Sequence, residues 1–383
     1  MPFEPRRIAV VFCAVCAFLH LYSPQAVLPL MAQEFGVGAA TASLIITAST
    51  FAVAATAPFT GAVADVLGRK RVIVAAMVLL LVPGVMLPLS GSMQELIFWR
   101  FVQGLLLPPI FAVTVAYIGD EWPPQQATGV IGSYTSASAV AGFLGRFIPG
   151  MLLVYVGWRG GFLALAILTA CCLVIVATLL PREKQFVRAS TLGASLRQML
   201  AHLRNPKLLA TFAVGFGVLF NFIAVFTYMS FHLAGPPFFR SAAFIGSIFV
   251  VYLAGAAAAA MTGRMIAAIG RRAFVLWALA AWACGILLML VPSVPVIVLA
   301  LAIASVCGTL AQAASTSYVA ITAHGGTSSA VGLYVTAFYV GGTAGGWLAG
   351  LAYEAGGWPA TLALVLGMLA VMATIVATCW SRT

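Results

Sequence analysis

The chain has 383 residues, 63% of them hydrophobic and only 7% charged, with a net charge of +11. Soluble domains carry about 25% charged residues, so these values exclude an ordinary water-soluble enzyme or binding module and point to a polytopic membrane protein. The positive balance makes no nucleic-acid surface, because the basic residues are scattered among apolar runs instead of gathered on one face.

A membrane-spanning helix needs about 20 mainly apolar residues. On that measure the chain predicts twelve spans, at roughly 8–30, 41–64, 72–90, 95–118, 127–153, 160–180, 208–233, 241–263, 273–291, 296–320, 329–352 and 359–380. The opening MPFEPRR mimics a secretory signal, but it has no convincing cleavage site and runs on into a full-length span. It reads as the first membrane helix. The longest polar interval, 181–207, holds Arg182, Lys184, Arg188, Arg197, Arg204 and Lys207. It is expected to be a cytoplasmic linker between two six-helix bundles, 1–180 and 208–383.

With the amino terminus inside, 15 of the 19 Lys and Arg residues fall on the cytoplasmic side. Such an excess orients the chain with both termini cytoplasmic. The other four are Arg100, Arg146, Arg159 and Arg240, within helices or at the outer face. Pro24, Pro29, Pro108, Pro109 and Pro149 are expected to kink their helices.

The two halves are copies. Residues 61–72 align with 263–274 at an offset of 202, with glycines 61 and 68 answered by 263 and 270. Tyr134, Gly142, Gly145, Gly150, Gly157 and Trp158 recur at an offset of 200 as Tyr334, Gly342, Gly345, Gly350, Gly357 and Trp358. A parallel duplication of six helices is the architecture these anchors imply: an all-α membrane protein of two pseudo-symmetric bundles. In such folds the solute path lies between the halves near the bilayer midplane.

Catalytic and metal chemistry find no support. The seven cysteines (13, 16, 171, 172, 284, 307 and 379) lie in apolar segments, and the one Cys-x-x-Cys spacing, 13 and 16, falls within a single apolar run. They read as small buried hydrophobes. No His/Asp/Glu cluster is embedded in a span, and Gly-x-Ser-x-Gly is absent. No cofactor is expected.

The stretch 61–73, GAVADVLGRKRVI, packs Asp65, Arg69, Lys70 and Arg71 between two apolar runs. Gly61 is suited to close helix approach and Gly68 to a left-handed helix end. The spacing resembles the cytoplasmic signature of the major facilitator superfamily, G-x-x-x-D-x-x-G-R-[KR], at every fixed position. In that family the aspartate meets the amino terminus of the eleventh helix. The arginine pairs with an acid ending the fourth, which here is Asp120 or Glu121. The resemblance therefore implies a cytoplasmic gate of Gly61, Asp65, Gly68, Arg69 and Asp120. Leu96 to Gly104 resembles the L-x-x-x-R-x-x-Q-G motif of proton-coupled facilitators, which implies a cavity and coupling role for Arg100 with Gln103. A pairing of Arg100 with Glu95 is the structural alternative.

The fifth-helix G-P-x-x-G-G core of drug antiporters is altered around Arg146. The chain is more similar to the acriflavine-sensitivity (YnfM-type) efflux permeases. The likeness lies in the run Leu21–Pro29, in Glu34-Phe35-Gly36, in the Gly145-Arg146 pair and in a Gly-Trp at the outer turn.

Positions where the copies differ are the informative ones. Asp65 is answered by Ala267, and Arg146 interrupts a glycine stripe that the eleventh helix keeps as Gly342, Gly346 and Gly350. A permanent charge inside the bilayer is costly unless it faces water, a ligand or a partner. Arg146 is thus expected to serve the cavity or a gate, with snorkelling to the outer surface as the alternative. The acids lie at 4, 34, 65, 95, 120, 121, 183 and 354, none of them mid-span. His20, beside Tyr22 and Gln25, is the one histidine at depth that titrates near neutral pH. It is a candidate proton carrier, with Glu34 or Glu95 as rim alternatives. Asn221, Tyr228 and Tyr334 complete the candidate solute-binding set, amphipathic groups suited to a mixed ligand site.

The resemblance implies a secondary transporter that expels small organic compounds, with a proton gradient as its energy source. The expected setting is a bacterial-type inner membrane, with the lipid bilayer and a small-molecule substrate as partners, no nucleic acid, and a monomeric state. The alternatives are an organic anion carrier using Arg100 and Arg146, and a membrane receptor that transports nothing.

Overall fold

The computed structural model describes residues 4–183, 201–323 and 327–380. Lys184, Arg188 and Arg197 of the expected linker, and Arg382 at the carboxyl end, lie outside the described residues. The described chain is helical throughout: α1 Pro5–Leu21, α2 Leu28–Glu34, α3 Ala39–Leu67, α4 Arg69–Leu89, α5 Met93–Glu121, α6 Pro124–Leu179, α7 Pro206–Ala234, α8 Ala242–Ile248, α9 Val251–Ala259, α10 Thr262–Ile269, α11 Arg271–Leu288, α12 Val294–Thr322 and α13 Thr327–Cys379.

Among the described residues, nine stretches are long and apolar enough to cross a membrane, with mean hydropathy between 1.5 and 2.8. Two of these, α6 and α13, are each a pair of spans joined at a glycine break. The shorter α1 completes the twelve. The breaks fall at equivalent points of the two copies. Gly157 has φ 68° and Gly357 has φ 66°, a left-handed backbone that side chains resist. The duplication read from glycine and tryptophan spacing is therefore also a duplication of backbone conformation.

Helix starts follow their local chemistry. Asn205 accepts from the amides of Lys207 and Leu208 at 3.0 and 3.4 Å, and Pro206 occupies the first helical turn of α7. Ser92 accepts from the Glu95 amide, while the Glu95 carboxylate accepts from the Gly91 N–H at 2.8 Å. That use of Glu95 is a helix cap, not the pairing with Arg100 entertained above. Lipid-facing positions are apolar, among them Val154, Tyr155 and Trp277, all strongly exposed.

Two expected spans differ from a single rod. The span at 8–30 is divided: α1 ends at Leu21, a 3-10 turn covers Ser23–Ala26, and α2 begins at Leu28. Pro24 supplies the reason, since it removes a backbone donor and fixes φ. The span at 241–263 is broken into α8 and α9, with α10 beyond it.

By internal contacts the described chain forms two units. One holds residues 4–27, 48–183 and 241–247; the other holds 28–47, 201–240, 248–323 and 327–380. In the first, α1 packs closely on α6, with Gly145 against the backbone of Leu19. In the second, α7 packs on α13, with Gly345 against the backbone of Phe220. A methyl group would come within 2.1 Å of the Leu19 oxygen at the first contact and 2.3 Å of the Phe220 oxygen at the second, so both demand glycine.

Candidate functional site

The first unit contains a continuous polar network where hydropathy would have apolar packing. Arg100, on α5, is fully buried. Its Nη1 donates to the His20 carbonyl at 2.8 Å and also to Gln103 Oε1, and its Nη2 donates to the Leu21 carbonyl at 2.7 Å. These two carbonyls are exposed to a side-chain donor because α1 ends there, so the break at Pro24 creates the acceptors.

The network has a fixed direction. A guanidinium only donates, so the Gln103 amide presents oxygen to Arg100 and Nε2 to the His20 ring. Gln103 Nε2 lies 3.0 Å from His20 Nδ1, which must accept. The His20 proton therefore sits on Nε2, 2.5 Å from Thr169 Oγ1. The Thr169 hydroxyl in turn donates to the Leu165 carbonyl at 2.8 Å. Arg100, Gln103, His20 and Thr169 form one chain of donors and acceptors, and each link determines the next.

A second cluster surrounds Arg146, which is 3% exposed. Its Nε donates to Gln25 Oε1 at 2.6 Å, its Nη1 donates to the Gly142 carbonyl, and its guanidinium carbon lies 4.8 Å from the centre of the Tyr22 ring. The charge is held inside by an amide, a carbonyl and an aromatic face. Burial and these partners replace the snorkelling alternative.

At the other end of the same unit, Arg69 Nη2 lies 2.5 Å from Asp120 Oδ2 and 3.7 Å from Asp65 Oδ1. Its Nη1 is buried and has no hydrogen-bond partner among the described residues. Gly68, with φ 93°, makes the turn between α3 and α4, as its position suggested. Gly61 does not act as a close-contact position: a methyl group there would meet nothing within 4 Å. Glu183, which sequence reasoning passed over, caps the start of α4, with its carboxylate 3.3 Å from the Lys70 amide. An open pocket of about 570 Å³ lies beside it, lined by Lys70, Arg71, Arg182 and Glu183 over an apolar floor.

The remaining candidates lie in the second unit and do helix-packing work. The Tyr228 hydroxyl donates to the Gly346 carbonyl at 2.8 Å, and the Tyr334 hydroxyl pairs with Ser315 Oγ at 2.8 Å. Asn221 Nδ2 reaches Met372 Sδ at 3.5 Å, while its Oδ1 is buried without a partner among the described residues. Thr169 was also missed, because a threonine in an apolar span that bonds back to its own helix carries no sequence signal of a second partner. No group of three or more His, Cys, Asp or Glu residues able to hold a metal is found among the described residues.

Comparison with known proteins agrees with this architecture. The model of the Major Facilitator Superfamily matches residues 10–250. The chain is 29% identical over 268 residues to the inner membrane transport protein YnfM of Escherichia coli (strain K12), which covers 69% of this chain and 64% of that protein. It is 26% identical over 177 residues to the purine ribonucleoside efflux pump NepI of Salmonella paratyphi A, covering 45% of this chain and 44% of the pump. Its fold is similar to the crystal structure of the human organic anion transporter MFSD10 (TETRAN), with a TM-score of 0.73 and 19% identity over 98% of this chain and all of that one. A duplicated set of six spans, the signature between α3 and α4, and a family match over more than half the chain lead to one conclusion: this protein is a membrane transporter of the Major Facilitator Superfamily.

Proposed function

We propose that the protein expels small organic compounds in exchange for protons, by alternating access between the six-helix halves 1–180 and 208–383. The observation that carries this reading is the directed network of Arg100, Gln103, His20 and Thr169. For His20 to gain a proton at Nδ1, Gln103 must turn its amide, and its oxygen then leaves Arg100. Protonation of the ring is thereby tied to the hold of Arg100 on the carbonyls that end α1. A coupling ion moves a transporter only when it interacts differently with its two states, and this linkage supplies such a difference.

The cytoplasmic signature supports the same reading. Arg69 binds Asp120 but leaves one buried nitrogen unused, a latch only partly made. Efflux is favoured by the similarity to NepI, an efflux pump, and by the resemblance to YnfM-type permeases. The reading also includes an inner-membrane location, both termini in the cytoplasm, a monomeric state, no cofactor and no enzymatic activity.

The test is uptake of cationic dyes and of organic anions by inverted vesicles, with and without an acid interior. Dye accumulation that needs the acid interior, and that His20→Gln reduces more than about tenfold, supports antiport. Gradient-driven accumulation that His20→Gln leaves intact removes His20 from the coupling route. A second reading, organic anion exchange, is favoured by Arg146 against Gln25 and Tyr22 and by the fold shared with MFSD10, an organic anion transporter. Anion exchange indifferent to pH and lost in Arg146→Ala would select it.

A further inference from the structure

Glu354 is near the end of the first span of α13, three residues before Gly357. Its Oε1 accepts from the backbone N–H of Ala40 at 3.0 Å. Ala40 is in the first turn of α3, where amides have no partner within their own helix. A carboxylate from the second half of the chain thus caps a helix from the first half, within one of the two units. Gly38, just before α3, is shaped for it: a methyl group there would come within 2.3 Å of Glu354 Oε1. Two further contacts tie the same helices together. Ser43 Oγ reaches the Gly346 carbonyl at 3.3 Å, and Gly350 lies against the Cα of Ala40.

The duplication shows what is special here. At the offset of 200, Glu354 is answered by Val154, which is 76% exposed. At the offset of 202, Ala40 is answered by Ala242, and Gly150 lies against the Ala242 carbonyl just as Gly350 lies against Ala40. The close backbone contact is therefore common to both copies, whereas the carboxylate was added to one. Asp65 is the other acid on this helix pair that its sister copy lacks, with Ala267 as its counterpart.

We propose that Glu354 is an outer latch of the transport cycle: bound to the start of α3 it holds the outer ends of α3 and α13 together, and its release lets them part. The inference rests on the alternating-access reading above. Asp65 ends α3 on the cytoplasmic side, so the two acids stand at opposite ends of one helix pair and favour opposite states. An acid cap on an exposed helix start shifts a two-state balance only modestly, about two- to fivefold. A latch that opens in every cycle has to be of that size.

The experiment measures access to Ser43→Cys, a nearly isosteric reporter at a fully buried position. The full-length protein in whole cells is reacted with an impermeant maleimide applied from outside, and the protein with native Ser43 sets the background. Glu354→Ala is expected to raise the labelling rate about two- to fivefold, and Glu354→Gln to raise it less. Gly38→Ala is expected to act like Glu354→Ala because it displaces the carboxylate. The two together should do no more than either alone. An unchanged rate in Glu354→Ala, or strictly additive effects of the pair, overturns the latch. Asp65→Asn is the control for the wider reading and is expected to slow labelling. If it does so while Glu354→Ala changes nothing, only the assignment of Glu354 fails. If neither substitution changes the rate, alternating access fails with it.

Discussion

Positions 146 and 346 occupy the same place in the two copies and have opposite uses. In the first unit Arg146 brings a guanidinium into the interior, where Gln25, the Gly142 carbonyl and the Tyr22 ring surround it. In the second, Gly346 has no side chain, and Thr47 and Ile223 close over it. Its carbonyl receives the hydroxyls of Tyr228 and Ser43, and a methyl group there would meet Thr47 Oγ1 at 2.6 Å. The contrast extends outward. Around Arg100 the first unit is a hydrogen-bonded network, whereas around α7 the second unit is aromatic. There Phe222 packs against Phe226, Tyr252 and Trp282 at centroid distances of 5.4–5.9 Å. One backbone plan thus supports two interiors, one built on a hydrogen-bonded guanidinium network, the other mainly on packed aromatic rings. Duplication supplies the scaffold, and side-chain divergence on it supplies the chemistry.

The strongest way to break this contrast is to remove its polar centre. Arg100→Leu leaves the Leu21 carbonyl and Gln103 Oε1 without their donor, whereas the His20 carbonyl keeps the Ser23 hydroxyl at 3.1 Å, and each unsatisfied buried group costs about 1–3 kcal/mol. Transport per inserted molecule is expected to fall about a hundredfold, a change that two such losses can supply. Arg100→Lys keeps a charged donor group but not the planar fork, so it should recover only a small part. Flux in reconstituted vesicles checks both, and near-normal transport by Arg100→Leu would remove the network from the mechanism.

The next change makes both copies fail alike. Gly145→Ala and Gly345→Ala each drive a methyl group against a backbone oxygen, of Leu19 and of Phe220. Overpacking of this kind costs about 1–3 kcal/mol. Because both obstacles are backbone, neither can turn aside, and the two variants should lose similar thermal stability in detergent. A large loss in one and none in the other would show that the shared helix packing is not equivalent.

How much of this was legible in the sequence differs between the two kinds of feature. Spans and duplication were readable because hydropathy is local and glycine spacing records close helix contact. Arg100, Gln103, His20, Tyr22, Gln25 and Arg146 could each be singled out as polar residues at apolar depth. Their division into two clusters could not, because it depends on where α1 breaks and which carbonyls the break releases. Thr169 was illegible for another reason. A threonine in an apolar span ordinarily bonds back to its own helix, as Thr169 does to Leu165, and nothing in that habit reveals a second partner. Glu354 and Glu183 could be seen only as acids outside the middle of any span, since capping a distant helix start leaves no local pattern.

The finest probe of the contrast is Tyr228→Phe, which deletes one hydroxyl and leaves the ring. The ring lies against Phe231 and Tyr353 at 6.0 and 5.4 Å, so the aromatic packing of the second unit is retained. What is lost is the bond to the Gly346 carbonyl, at a position where Ser43 Oγ also donates. Hydrogen bonds between membrane helices average about 0.6 kcal/mol, and the second donor keeps the carbonyl from being orphaned. Thermal stability is therefore expected to drop by no more than about 1 kcal/mol, with the transported solute unchanged. If Tyr228→Phe instead altered which solutes are carried, the second unit would have to contribute a polar contact to the ligand. The division of labour between a polar and a structural half would then give way to a shared site.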